Sequence, residues 1–159
     1  MAGTLKQQSG RSKLDLRQTI ISIVVADWNE EITNPLCVGA EQALVQAGVK
    51  KKNIRICRVP GSFELPLAAL WEAGKKKVAA VVCLGCVIQG DTPHFDYVCQ
   101  GVTQGIMDVT LRTGKPVAFG VLTTFTKKQA LERAGGKLGN KGEEAAATVI
   151  RMLELHHGR

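Results

Sequence analysis

The chain holds 159 residues, 45% of them apolar and 22% charged, with a formal charge of +7 from 21 basic and 14 acidic side chains. That balance belongs to one folded domain and excludes disordered and collagen-like chains; no stretch approaches the ~20 uninterrupted apolar residues of a membrane span. The positive excess raises nucleic-acid or anionic-membrane binding as a class of function, which the position of the charges has to decide. In chain order, residues 1–18 read as a basic, flexible arm, and 19–159 as a single domain. Met1 to Arg17 carry four basic side chains and no apolar stretch of the ~7–15 residues that a secretory signal needs, so a cytoplasmic protein is expected. Thr19 to Ala26 is β-branched and apolar on both faces, the pattern of a buried strand. Ile32, Leu36, Ala40, Ala43, Leu44 and Ala47 then recur at spacings of three and four, a helix closed by Gly48. Asn53 to Pro60 reads as a second strand, followed by a helix from about Phe63 to Ala73. Val78 to Ile88 is the most apolar segment and the natural central strand. Phe95, Val98, Val102, Ile106 and Val109 mark a third helix ending near Gly114. Pro116 to Thr124 is a fourth strand, Lys127 to Ala134 a short helix, and Gly142 to Leu155 the last helix, reached through a glycine-rich turn.

Strands that alternate with helices and are buried on both faces need right-handed crossovers, so their sheet is parallel. The expectation is a three-layer α/β/α sandwich with a four-stranded parallel sheet, resembling the flavodoxin type. The five cysteines (Cys37, Cys57, Cys83, Cys86 and Cys99) are an odd number in apolar surroundings. Cys83 and Cys86 form a C-x-x-C inside a strand, where residues three apart face opposite ways, so buried free thiols are expected and no metal site.

Lys50–Lys52 and Lys75–Lys77 both precede strands, at helix C-terminal ends where cations complement the helix dipole. These triplets and the arm account for the basic excess and leave the remainder slightly acidic. The charge therefore sits away from the strand-to-helix edge where α/β proteins bind ligands, which argues against nucleic acid and membrane partners.

That edge gathers Asp27-Trp28-Asn29, Pro60-Gly61-Ser62-Phe63-Glu64, Gln89-Gly90-Asp91-Thr92-Pro93-His94-Phe95 and the end of the fourth strand. Six of the seven aromatics (Trp28, Phe63, Phe95, Tyr97, Phe119 and Phe125) fall in or beside these segments, as a flat-ring ligand would require. Phe95 and Tyr97 read first as caps on the core. In Gly90 to His94 the glycine permits a tight exit, Thr92 can cap the helix and Pro93 suits its first position, leaving free N–H groups that suit a phosphate. His94 there serves either as a structural hydrogen-bonding group or as a proton-transfer group. Ser62 and Glu64 are ordinary capping types that can also hold polyol hydroxyls. Arg133 and Lys141 flank the glycine-rich turn and can reach an anion or a carbonyl, whereas His156 and His157 read as a solvated tail.

Val59-Pro60-Gly61-Ser62-Phe63-Glu64-Leu65-Pro66, Gly90-Asp91-Thr92-Pro93-His94-Phe95-Asp96, and Arg133-Ala134-Gly135 with Gly139-Asn140-Lys141-Gly142 resemble the 6,7-dimethyl-8-ribityllumazine synthase family from about Ile20 to Leu155. The resemblance implies condensation of 5-amino-6-(D-ribitylamino)uracil with 3,4-dihydroxy-2-butanone 4-phosphate, the penultimate step of riboflavin biosynthesis, without a cofactor. It implies that Trp28 stacks on the pyrimidine, that Ser62, Phe63 and Glu64 hold the ribityl chain, and that Cys86, Val87 and Ile88 line the heterocycle pocket. It implies phosphate binding by Asp91, Thr92 and Arg133, a pyrimidine carbonyl at Lys141, and Phe119 entering from a neighbouring subunit. His94 matches the family's general acid/base and Glu144 an acidic position near it. Gln89 departs from a position that is often basic, and Pro93 from one that is often Thr, Ser or Ala. The resemblance also implies a homopentamer; the short turn from Gly135 to Gly142 leans toward a sixty-subunit shell, with riboflavin synthase as a partner. Competing readings are an archaeal-type riboflavin synthase, against which the Gly90 to His94 segment speaks, and a non-catalytic lumazine or flavin carrier.

Overall fold

Strands β1 (Ile20–Ala26), β2 (Ile54–Val59), β3 (Val78–Ile88) and β4 (Val117–Thr124) pair in parallel, in the order β2-β1-β3-β4. The computed structural model describes residues 12–158. Helices α1 (Glu30–Ala47), α2 (Leu65–Gly74), α3 (His94–Thr113), α4 (Lys127–Leu131) and α5 (Lys141–His157) cover the sheet. Alternation along β3 divides the core between the layers. Ala80, Val82, Leu84 and Cys86 face the cluster under α1 and α5, while Val81 and Cys83 face the one under α2 and α3. The expected three-layer sandwich is thus present, and the two cysteines of the C-x-x-C lie on opposite faces. Burial pushes the Cys83 thiol up to about 12 and that of Cys86 up to about 11, so neither is a nucleophile near neutral pH.

The first helix ends as its spacing suggests, with Gly48 left-handed at φ 109°. Other boundaries shift for local reasons. A 3-10 turn, Lys51–Asn53, delays the second strand to Ile54, and another, Ser62–Glu64, precedes α2. Pro93 is the residue before α3 and His94 the first within it; Thr92 makes no side-chain cap, contrary to its expected role. The short helix stops at Leu131, because residues from Ala134 form an antiparallel hairpin of β5 (Ala134–Gly136) and β6 (Gly139–Asn140). The final helix continues to His157, so both terminal histidines belong to its last turn; both are exposed, and His157 Nδ1 lies 2.9 Å from the Leu153 carbonyl oxygen.

Of the arm, residues 1–11 lie outside the described residues, and 12–18 are seated against the domain. Ser12 donates to Glu154 Oε1 at 2.8 Å, the Lys13 N–H donates to the same oxygen at 3.1 Å, and Leu16 is buried in the α1/α5 core.

At the opposite sheet edge from the expected site, Glu72 is buried at the end of α2. Ser22 donates to it at 2.7 Å, and Lys75 and Arg55 pair with it. Burial raises this carboxyl, but the hydrogen bonds from Lys75 and Ser22 and the charge of Arg55 outweigh it and hold it below the usual range. A depressed carboxylate contributes stability above its unfolded pKa of about 4 and loses it as pH falls through the folded value. Glu72→Gln is therefore expected to cost about 1–2 kcal/mol at neutral pH. Urea unfolding at several pH values should show the gap from the parent chain closing on acidification; a pH-independent gap would show that charge is not the cause.

Candidate active site

The topology brings the loops after β1, β2 and β3 to one edge. After β1 the Asp27 and Trp28 N–H groups donate to the Val59 and Pro60 carbonyls at 2.8 and 3.0 Å, tying the loop to the end of β2. Asn29 then turns left-handed at φ 61°, and its amide donates to the Cys86 carbonyl at 3.1 Å. This fixes the Trp28 loop against the end of β3. The Trp28 ring packs beside Gly61, where an added Cβ would stand 3.2 Å from Cε3, yet 71% of the residue remains exposed. A large flat surface left open beside polar loops is suited to stacking.

In the Ser62–Glu64 turn, Glu64 Oε2 accepts from the Gly61 N–H at 3.0 Å, and Phe63, 60% exposed as a residue, lies with its ring over Gly101 of α3. Ser62 is 5% exposed and its hydroxyl has no protein partner. It fits only because residue 85 has no side chain: a Cβ on Gly85 would stand 2.5 Å from Ser62 Oγ. A buried hydroxyl without a partner is costly, so Ser62 retains an unused hydrogen-bonding capacity at this edge. Val87 and Ile88 are half-buried at the end of β3, beyond the buried Cys86. Asp91, Thr92 and His94 are exposed in the turn that opens α3. The Asp96 and Tyr97 N–H groups donate to the Pro93 carbonyl at 3.0 and 3.4 Å, while helix geometry leaves those of His94 and Phe95 without intrahelical partners, which supplies donors for an anion. Phe95 is half-buried, as a cap on the core would be, but Tyr97 is 70% exposed and caps nothing.

The remaining site residues occupy a second sector. A groove of about 550 Å³ wraps the free edge of β4 and is lined by Phe119, Thr123, Thr124, Arg133, Lys141 and Glu144, among others. The Lys141 N–H donates to the Arg133 carbonyl at 2.9 Å, so the two cations leave adjacent positions across the hairpin. Lys141 Nζ holds both carboxylate oxygens of Glu144 at 2.8 and 2.7 Å, and the Arg133 guanidinium donates to the Gln129 carbonyl at 2.8 Å. Within one chain Glu144 is thus the partner of Lys141 rather than of His94, and no ion pair joins Arg133 to Asp91. Phe119 is paired with Cys83, five residues before the end of β4, hence about 16 Å from the strand ends.

Gly85 has no function assigned from the sequence, and Asn29 and Thr124 are placed there only as members of the edge segments, with no role of their own. Thr124 carries another buried hydroxyl without a partner, in the groove beside the cations. An asparagine in the loop that follows β1, the threonine that ends β4 and the glycine within β3 are the available signals. Among the described residues there is no cluster of His, Cys, Asp or Glu able to hold a metal ion, and no helix is long and apolar enough to cross a membrane.

Fold and site together define an α/β protein that takes a small ligand beyond the carboxyl ends of its parallel strands. Residues 18–157 match the family model described as 6,7-dimethyl-8-ribityllumazine synthase. Relatives bearing that name include one from Cytophaga hutchinsonii, 58% identical over 139 residues, 87% of each chain. Another, from Parabacteroides distasonis, is 52% identical over 151 residues, 95% of this chain and 94% of its own. A third, from Porphyromonas gingivalis, is 55% identical over 141 residues, covering 89% and 86%. The chain belongs to the 6,7-dimethyl-8-ribityllumazine synthase family.

Proposed function

We infer that this chain condenses 5-amino-6-(D-ribitylamino)uracil with 3,4-dihydroxy-2-butanone 4-phosphate to 6,7-dimethyl-8-ribityllumazine, phosphate and water, in the cytoplasm. The observation that carries the reading is the family match over residues 18–157, which spans every segment at the strand ends. The riboflavin synthase and carrier readings are not favoured by it.

The substrate's own amine attacks the ketone and water leaves to form an imine. Removal of the proton on C3 of the butanone unit then expels phosphate from C4, the resulting enol tautomerises to a carbonyl at C3, and the ribitylamino nitrogen closes the ring onto that carbonyl with loss of another water. Each step moves a proton, the task assigned to His94, while the chain supplies no nucleophile. Trp28 offers a stacking face for the pyrimidine, Ser62, Phe63 and Glu64 meet the ribityl chain, and the backbone of Cys86, Val87 and Ile88 borders the heterocycle. The Asp91–Thr92 turn offers donors to the phosphate.

Phe119 is exposed too far down β4 to reach its own chain's strand ends, which supports its service to a neighbouring copy. Arg133 and Lys141 share its groove, so in this reading they travel with it, and each site is completed between two chains: Arg133 for the phosphate, Lys141 for a pyrimidine carbonyl. A homopentamer supplies that neighbour, and the hairpin that leaves no insertion before α5 favours assembly of pentamers into a sixty-subunit shell. Sedimentation distinguishes five chains from sixty.

The decisive experiment is incubation with both substrates while following the absorbing, fluorescent lumazine; folded protein that yields none would overturn the reading. Arg133→Ala should raise the apparent KM for the phosphate substrate by about tenfold, the size of one lost charge-assisted contact, with a smaller effect on the KM for the uracil. Separate titrations of the two substrates check this, and an unchanged phosphate KM would remove Arg133 from the site.

A further inference from the structure

Asn140 lies between Gly139 of the hairpin and Lys141, the first residue of α5, and its amide is bonded at both ends. Oδ1 accepts from the Gly142 N–H at 2.8 Å and the Glu143 N–H at 3.4 Å, which caps α5. Nδ2 donates to the Pro35 carbonyl at 2.9 Å, inside α1 and 105 positions away in sequence. The partners fix the orientation of the amide, since the Pro35 oxygen can only accept and the two N–H groups can only donate. Space for this side chain is reserved on the facing helix: a Cβ on Gly39 would stand 2.5 Å from Asn140 Nδ2. The backbone that Asn140 anchors carries both groove cations. Ala134 pairs with Asn140 across the hairpin, and the next residues outward, Arg133 and Lys141, are joined by the 2.9 Å bond.

We propose that Asn140 is a positioning residue: its amide latches the cation-bearing hairpin to α1 and so sets where Arg133 and Lys141 meet the substrates. This rests on the roles given above to those two cations. The cap and the latch use different ends of the amide and can be separated. Asn140→Asp keeps a capping oxygen and a favourable charge at the helix N-terminus, but replaces the donor with an oxygen that repels the Pro35 carbonyl. Asn140→Ser also caps, and is too short to reach Pro35.

Both variants should sediment as the parent does and unfold at nearly its temperature. Misplacing a binding group by a fraction of an ångström to an ångström should raise the KM for both substrates about tenfold, with kcat within about threefold. The same substitutions should have less than a twofold effect when Arg133→Ala and Lys141→Ala are already present, because a residue acting through these cations loses its effect with them. An undiminished tenfold loss on that background would overturn the latch alone, as would unchanged KM values in the single variants. If removing both cations itself leaves both KM values unchanged, the roles of the cations fall, and the proposal with them.

Discussion

His94→Ala is expected to lower kcat by about 10²-fold or less, the contribution of one general acid–base group, and to leave both KM values close to those of the parent. His94 is the one histidine at the start of α3, a side chain whose two ring nitrogens allow it to hand on a proton, and its exposed place keeps it clear of the folded core. Its loss should not be fatal, because the nucleophile belongs to the substrate and the main acceleration comes from holding two reactants together. Water at this open edge can carry the protons more slowly. Added imidazole should therefore restore part of the rate, and stopped-flow measurement of lumazine formation reads both effects. Complete loss in a folded, correctly assembled variant would contradict this division of labour; a change confined to KM would make His94 a binding group.

The two central strands were legible because they are buried on both faces, as with Ile20 to Ala26 and Val78 to Ile88, whereas the edge strand β2 is largely exposed and showed itself through its place in the alternation with helices. The C-x-x-C was decided by strand period alone, and Cys83 and Cys86 do face opposite layers. The hairpin was not legible. Ala-Gly-Gly and Gly-Asn carry no side-chain signal for strands, and their pairing depends on Gly135 and Gly139 at φ 102° and 80°. The loops at the strand ends could be placed by topology, which is why Trp28, Ser62 to Glu64, and Asp91 to His94 were found together. The grouping of Arg133 and Lys141 with Phe119 could not, since it depends on how α5 lies across the middle of β4. Tyr97 shows the converse limit: an aromatic near a strand end reads as core, but its position on α3 points it outward.

Gly142→Ala is expected to be among the most damaging single changes in the chain, lowering the unfolding temperature by about 6–12 °C, which corresponds to about 3 kcal/mol in a domain of this size. Gly142 is buried where the start of α5 crosses α1, and a Cβ there would stand 2.0 Å from the Leu36 carbonyl oxygen and 2.7 Å from its carbon. Both are main-chain atoms in a helix whose Leu36 side chain is fully buried, so no rotamer change can relieve the overlap. The first turn of α5 must move away from α1, which strains the bond from Asn140 to Pro35 and displaces Lys141. Activity should accordingly fall below the parent's even at temperatures where the variant is folded, mainly through KM. Gly74→Ala supplies the control, because nothing lies within 4 Å of its added Cβ at the end of α2; it should be neutral or stabilising by up to about 1 kcal/mol. Thermal unfolding of the two variants side by side separates the effect of the helix crossing from that of replacing a glycine as such. Equal unfolding temperatures would mean that α1 and α5 are free to separate, and the rigid placement of Lys141 would fail with that result.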